Sequence, residues 1–137
     1  MHAKSKDLKT LARLKNRREF LAVRNYNCKY ARPGLVLQAA PRQAAPGDGL
    51  QQTPEQDGIR FGVTVSAKVD KRAVIRNRAK RRLRSLARDI LPMAAQSGYD
   101  YVLIGRKGTV TRPYADLARD LETCLEKLGL LRREDKS

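Results

Sequence analysis

The sequence has no tryptophan, one histidine, two cysteines and few aromatic residues, which make up 5% of its 137 positions. Cys28 and Cys124 are isolated from each other, a pattern that favours two reduced thiols over a disulfide. His2 together with two such distant cysteines would make a poorly spaced set of zinc ligands. We therefore expect neither a structural disulfide nor a zinc site.

Long apolar runs are also missing. No stretch of about 18 apolar residues occurs, which excludes a helix that spans a membrane. The basic segment from Met1 to Leu14 has neither a continuous apolar stretch nor a small-residue cleavage site, so it does not resemble a signal peptide. The chain is long enough for one domain with a modest core, and we expect a cytoplasmic protein.

Acidic residues are scarce relative to basic ones. Thirty basic residues against 14 acidic residues give a formal net charge of +16, which is far more than solubility requires. The excess lies in residues 1–38, with ten basic and two acidic residues, and in residues 59–112, with fourteen and three. An anionic membrane would need an apolar anchor that the sequence lacks. A polyanion is therefore the expected partner of these two segments.

Hydrophobic periodicity predicts three helices and three strands. The helices are residues 14–25, 73–91 and 113–128, and the strands are residues 33–38, 59–66 and 99–106. Asn16 suits the N-cap of the first helix, and Glu19 completes a capping box. Pro92 is expected to end the second helix and Gly129 the third. The order α-β-β-α-β-α predicts an α/β (α+β) two-layer sandwich in which helices cover one face of a small sheet.

Composition divides the chain into one domain and three less regular segments. We expect residues 1–14 to form a basic N-terminal arm and residues 15–129 to form a single domain that binds the polyanion. Residues 39–58 are rich in Ala, Pro, Gln and Gly and lack periodicity, so we expect a flexible insertion loop within this domain. Residues 130–137 form a polar C-terminal tail.

The predicted strand IRFGVTVS, residues 59–66, alternates between apolar and polar positions. One face is expected to pack on a core and consists of Ile59, Phe61, Val63 and Val65. The other face is expected to be open and consists of Arg60, Gly62, Thr64 and Ser66. An open polar face beside basic helices is a suitable surface for an extended strand of nucleic acid.

The second predicted helix is the most basic part of the chain. Ten of the 21 residues from Lys68 to Arg88 are Lys or Arg, and only Asp70 is acidic. Like charges four residues apart destabilise a helix, and bound phosphates would neutralise this repulsion, with affinity falling steeply as salt rises. Arginines bind phosphates and base edges bidentately. The Asn77 amide suits a base edge or a 2′-hydroxyl, or else it orders the loop before the helix.

The basic helix and the strand before it resemble a known family, the protein subunit of bacterial ribonuclease P. The resemblance centres on Arg76-Asn77-Arg78 and extends through RFGVTVSAKVDKRAVIRNRAKRRLR, residues 60–84. The first helix, the strand DYVLIGRKG and the closing helix match the family as well. The similarity covers about residues 11–129, and the long motif is more specific than its three central residues.

The resemblance implies a subunit of an endoribonuclease that is not itself the catalyst. In the family, a large RNA removes the 5′ leader from precursor tRNA, with Mg²⁺ in the RNA active site, and the protein assists by binding that RNA and the leader. The implied partners are the catalytic RNA and precursor tRNA, with no membrane, organic cofactor or obligate protein partner. The implied fold is ribosomal protein S5 domain 2-like, with a left-handed β-α-β crossover, contrary to the usual hand.

The resemblance and the residue pattern together indicate two groups of site residues, and no catalytic or metal-binding residue. The group expected to face the RNA subunit is Lys68, Lys71, Arg72, Arg76, Asn77, Arg78, Lys80, Arg81, Arg82 and Arg84. The group expected to line a leader cleft, between the first helix and the sheet, is Arg17, Phe20, Arg24, Tyr30, Gln38, Arg60 and Ser66. Arg24 and Gln38 stand where the family often has aromatic residues, so we expect this cleft to depend more on charge than on stacking. Phe20 is equally compatible with core packing.

Two rival functions are weaker from the sequence. A metal-dependent nuclease needs clustered carboxylates, but Asp70, Asp89 and Asp100 are scattered, and no histidine lies near the basic helix. A ribosomal or RNA-chaperone protein shares the charge and size of this chain. The long motif around Arg76 distinguishes the chain from such a protein, which stays the main alternative.

Overall fold

The computed structural model describes residues 11–41 and 58–131. These residues form four helices and one mixed sheet of five strands. The strands are β1 (Leu11–Arg13), β2 (Lys29–Arg32), β3 (Leu35–Pro41), β4 (Ile59–Thr64) and β5 (Tyr99–Gly105). The helices are α1 (Arg17–Tyr26), α2 (Ala73–Ala94), α3 (Lys107–Thr111) and α4 (Tyr114–Lys127). The α+β class is confirmed, whereas β1, β2 and α3 are additional to the six predicted elements.

The order of strands in the sheet is β1-β4-β5-β3-β2. β4 and β5 are parallel neighbours joined through α2, which confirms a β-α-β connection, while its left hand stays a prediction. β1 is also parallel to β4, so β1, β4 and β5 have their carboxyl ends at the same edge of the sheet. β2 and β3 form an antiparallel hairpin in which Tyr30 lies opposite Leu37, and the turn falls at the predicted Pro33-Gly34.

Helices pack on both faces of the sheet. The larger core joins α2 and α4 to one face, where Leu83 and Leu121 belong to the same buried cluster as Leu37 and Leu103. α1 packs on the opposite face through Val23 and the half-buried Phe20, beside Ala40 and Val102. This differs from the predicted single covered face, because β3 and β5 carry apolar side chains on both of their faces.

The predicted N-cap of α1 is confirmed. The Asn16 side chain accepts a hydrogen bond from the Glu19 N–H at 3.1 Å, and the Glu19 carboxylate accepts from the Asn16 N–H at 3.1 Å. The predicted Gly129 terminator is also confirmed, with a left-handed φ of 76° immediately after α4 and its C-cap. The C-cap of α1 is Asn27, which adopts φ 63°, a conformation that asparagine tolerates better than most residues.

Several predicted boundaries are wrong. β3 continues through Ala39, Ala40 and Pro41, which the sequence assigns to the insertion loop, while residues 42–57 lie outside the described residues. Residues 11–13 of the predicted arm form β1, and the following Leu14 is buried. The rest of the arm, residues 1–10, and the tail from residue 132 onward also lie outside the described residues.

Pro92 does not end α2, which runs on to Ala94. Its ring is buried, and helical hydrogen bonding continues beyond it, since the Ala95 N–H donates to the Leu91 carbonyl at 3.0 Å. Loss of one donor close to the end of a helix disturbs few hydrogen bonds. None of the helices in the described ranges has the length and apolarity that crossing a membrane requires.

A buried carboxylate ties α4 to the turn of the β2–β3 hairpin. Asp120 is 1% exposed and accepts a hydrogen bond from the Gly34 N–H at 3.0 Å. Its two oxygens also pair with Arg112 Nε at 2.9 Å and Arg32 Nε at 3.6 Å. Two cations and one backbone donor therefore compensate the cost of burying this charge.

We predict that Asp120→Ala destabilises the fold by about 3–5 kcal/mol, because it leaves two arginines and a backbone N–H without their shared acceptor. Urea denaturation would measure this destabilisation. Asp116→Ala is the matched control on the same helix, since Asp116 is 37% exposed and pairs with an exposed Arg119 at 3.6 Å. That control should cost less than about 1 kcal/mol, and an equal destabilisation in both variants would contradict the assignment.

Candidate nucleic-acid interface

α2 presents a dense set of cations because its apolar stripe is buried. Ala79, Leu83, Leu86 and Ala87 are all 0% exposed, so the remaining positions face away from the core. Three arginines are exposed and two further cations are half-buried, in order Arg78, Arg81 and Arg88, then Lys80 and Arg84. Within residues 11–41 and 58–131, none of these five side chains makes a hydrogen bond or ion pair. They are available to an external anion.

Two other arginines of α2 are bound to backbone carbonyls of neighbouring segments. Arg76 Nη1 donates to the carbonyls of Asp70 and Lys71, at 3.0 and 2.8 Å. Arg82 Nη1 donates to the carbonyls of Thr109 and Val110 at the end of α3, at 2.9 and 2.8 Å. Both residues belong to the predicted RNA-facing group, and both also hold the protein's own backbone.

The loop before α2 is organised by an acidic residue. Asp70 accepts hydrogen bonds from the Arg72 N–H at 2.9 Å and from its guanidinium at 3.0 and 2.9 Å. The Arg72 guanidinium, followed by the Arg72 N–H, lowers the pKa of the Asp70 carboxyl to about 2. Asp70 thus stays ionised, and the charge of Arg72 is partly committed to it. Lys68, Lys71 and Asn77 are exposed.

The face of the sheet beneath α1 is less open than its polar pattern predicts. Phe20 lies so close to Gly62 that a Cβ at this position would collide with the Phe20 ring. Gly62 is therefore buried under α1, and only a residue without a side chain fits there. Phe20 acts as a packing residue at Gly62 while it stays half exposed at its outer side.

Arg60 also differs from its predicted state, because it is held by two carboxylates. Its guanidinium donates to Asp100 at 2.9 and 2.6 Å and to Glu19 at 2.8 Å. The pKa of Arg60 is raised above its ordinary value, mainly by the hydrogen bonds to the Asp100 carboxylate. Burial raises the pKa of Glu19, but the N–H groups of Lys15 and Asn16, together with Arg60, lower it below its ordinary value overall. The network fastens α1 to the sheet.

The structure brings together only some of the predicted cleft residues. Gln38 is half-buried on the face that α1 covers, next to Val102 in the sheet register. Arg17 and Arg24 are exposed on α1, and Ser66 is exposed beyond the end of β4. Tyr30 does not join them, since it packs against the core cluster on the opposite face.

Three further residues border this cleft. Val36, Ile104 and Thr64 form one row across β3, β5 and β4, and they are half-buried, half-buried and exposed. The row lies beside Gln38 on the α1 face and leaves a partly apolar strip uncovered. The sequence alone does not show that Ile104 leaves the core, because three consecutive apolar residues, 102–104, hide the two-residue alternation of β5.

The described residues contain no cluster of three or more His, Cys, Asp or Glu side chains that could hold a metal ion. The three carboxylates in the basic segment of residues 59–112 already have protein partners, namely Asp70 with Arg72, Asp100 with Arg60, and Asp89 with the Tyr114 hydroxyl at 2.6 Å. This donor set therefore does not fit a Mg²⁺ site within residues 11–41 and 58–131.

Known proteins are similar to this chain over most of its length. The family model described as Ribonuclease P matches residues 8–129 of the chain. A ribonuclease P protein component from Paramagnetospirillum magneticum is 48% identical over 123 residues, which cover 90% of this chain and 86% of that protein. One from Gluconacetobacter diazotrophicus is 43% identical over 118 residues, covering 86% of this chain and 91% of that protein.

Solved structures agree in fold. The Staphylococcus aureus RNase P protein superposes with a TM-score of 0.65 at 21% identity, covering 88% of this chain and 97% of that one. The Thermotoga maritima RNase P protein superposes with a TM-score of 0.61 at 23% identity, covering 81% of this chain and 92% of that one. At these identities the structures support the architecture.

We predict that Glu19→Gln changes how stability depends on pH. Because the folded state lowers the Glu19 pKa from 4.5, its contribution is present above that pH and is lost as pH falls below it. The stability gap between wild type and variant should shrink from about pH 6 to about pH 3. Thermal unfolding across this range would measure it, with the exposed Glu122→Gln as control. A gap independent of pH would show that the ionised carboxylate is not what fastens α1.

Proposed function

Because the chain belongs to the ribonuclease P protein family, we propose that it is an RNA-binding subunit that helps a catalytic RNA remove the 5′ leader from precursor tRNA. One observation carries this proposal, namely the set of α2 cations without partners in the described parts of the chain. Such a set costs stability in the free protein through like-charge repulsion. Phosphates of a bound RNA would offset that cost and release counterions.

The leader would lie along the sheet beside α1. The strip formed by Val36, Ile104 and Thr64, with Gln38 and the outer side of Phe20, combines apolar surface with hydrogen-bonding groups. Such a surface accepts an extended single strand without selecting its bases. Arg17 and Arg24, exposed on α1, would bind phosphates at its side.

The chemistry itself would belong to the RNA. Mg²⁺ bound by that RNA would supply the activated water and stabilise the leaving oxygen, and no step is assigned to a side chain of this protein. The contribution of the protein is binding, orientation and charge neutralisation. We propose the catalytic RNA and precursor tRNA as its partners, with no obligate protein partner.

Reconstitution tests this function. We expect the purified protein to stimulate cleavage of precursor tRNA at the mature 5′ end by a bacterial ribonuclease P RNA at low Mg²⁺, where RNA alone is slow. Protein without RNA should cleave nothing. Tight RNA binding without stimulation would favour a ribosomal or RNA-chaperone role, and cleavage by the protein alone would favour a nuclease.

Arg78→Ala combined with Arg81→Ala should weaken binding to the RNA subunit without unfolding the protein, because both side chains are exposed and unpaired within the described ranges. The negative slope of log affinity against log salt should become shallower by about one unit for each phosphate that the variant no longer neutralises. Filter binding across a salt series would measure both quantities. Arg119→Ala, which removes a 77% exposed arginine of α4, is the matched control. Unchanged affinity of the double variant at moderate salt would refute the docking surface.

A further inference from the structure

A groove lies at the carboxyl ends of the parallel strands β4 and β5. It consists of two adjoining cavities of about 690 and 460 Å³, which share Lys68, Val69 and Lys107 in their linings. One wall is the loop of residues 67–72, and the other is the segment of residues 105–111; we call this concavity the β4–β5 groove. In sheets with parallel strands, the crevice beyond the strand ends is where ligands commonly bind.

Both walls of the β4–β5 groove are held in place by α2. Arg76 binds the carbonyls of Asp70 and Lys71 in the first wall, and Arg82 binds those of Thr109 and Val110 in the second. Two internal hydrogen bonds add to this order. The Val69 N–H donates to the Ser66 carbonyl at 3.0 Å, and the Arg106 N–H donates to the Thr109 hydroxyl at 2.8 Å. The groove is thus formed before any ligand binds, which lowers the ordering cost of binding.

The lining of the groove combines cations with an apolar floor. Lys68, Lys71 and Lys107 are exposed, and their ammonium groups make no polar contact within residues 11–41 and 58–131. The apolar side chains are half-buried and belong to Val69, Ile75 and Val110. The single acidic residue in the lining, Asp70, is neutralised by Arg72. An anionic ligand with a flat apolar part therefore fits both features.

We propose that the β4–β5 groove binds one unpaired nucleotide of the RNA partner, its phosphate beside Lys68 and Lys107 and its base on the apolar floor. The proposal rests on the RNA-binding function proposed above and adds Lys107, Val69 and Val110 to the RNA-binding residues. A paired duplex presents its phosphates outward with its bases stacked inside, so it would use the cations but not the floor. A base removed from its stack uses both.

Two substitutions test separately how the apolar floor and the cations of the groove contribute to RNA affinity. Val110→Ser should lower RNA affinity about tenfold, as expected when a base is no longer supported by an apolar surface, with the salt slope unchanged because no charge is removed. Lys107→Gln should lower affinity and reduce the slope by about one unit. Val74→Ser is the matched control for the first variant, since Val74 is 63% exposed on the same basic helix and does not line the groove.

Cross-linking locates the nucleotide without altering the floor. Thr111 is exposed and lines the groove, so Thr111→p-benzoylphenylalanine should cross-link to one unpaired nucleotide of the ribonuclease P RNA. Glu122→p-benzoylphenylalanine, exposed on α4, should not cross-link at that nucleotide. Cross-links spread over paired nucleotides, or none in a complex that forms normally, would overturn the proposal even if Val110→Ser misfolds.

The two proposals fail in different ways. If the wild-type protein does not bind the RNA subunit, the proposed function fails and the groove assignment fails with it. If wild type binds and stimulates cleavage while folded Val110→Ser binds equally well, only the groove assignment fails.

Discussion

The structure depends on burying a narrow apolar stripe of a helix that is otherwise positively charged. Leu83 and Leu86 are fully buried, and each such side chain contributes about 1.5–3 kcal/mol. Like-charge pairs four residues apart oppose helix formation by only about 0.2–0.5 kcal/mol each. The free energy of burying these side chains therefore outweighs the repulsion between the cations. The excess positive charge is retained, and it can attract an anionic partner. Ala79 and Ala87, which are also 0% exposed, let the helix approach its neighbours closely.

Burial of this stripe fixes the rotation of α2 about its axis. Arginines at different positions of the helix therefore meet different partners. Arg76 and Arg82 meet backbone carbonyls of the segments that follow β4 and β5, so they order the walls of the groove. Arg78 and Arg81 meet only solvent in the described structure, so their charge is available to a partner. Composition cannot separate these two classes, because the difference lies in what stands opposite each side chain.

Much of the fold could be predicted from local sequence signals. Helical periodicity located α1, α2 and α4, and the Asn16 cap and the Gly129 terminator follow from short-range hydrogen bonding and backbone geometry. Non-local pairing could not be predicted in this way. β1 pairs with β4 across the long insertion, and such a short strand has too few residues to show alternation. The double-sided apolar pattern of β3 and β5, which brings α1 to the second face, became clear only with the sheet register.

The candidate site was predictable to a similar extent. The basic surface of α2 followed from charge density, but the state of Arg60 did not, since its partners Glu19 and Asp100 are 41 and 40 residues away. Tyr30 was predicted to line the leader cleft, but the hairpin register puts its side chain on the other face. Side chains that face one another across a sheet are determined by pairing, which a single sequence does not reveal.

The carbonyl hydrogen bonds of Arg76 are compatible with a role in binding RNA. Its Nη1 alone reaches both carbonyls, and a guanidinium has further N–H donors on Nη2 and Nε. One side chain can therefore order the loop and still meet a phosphate. A lysine concentrates its three donors on one atom and lacks the planar fork, so it would have to divide that atom between the loop and the ligand. This gives a physical reason for arginine at a position where either residue would supply the charge.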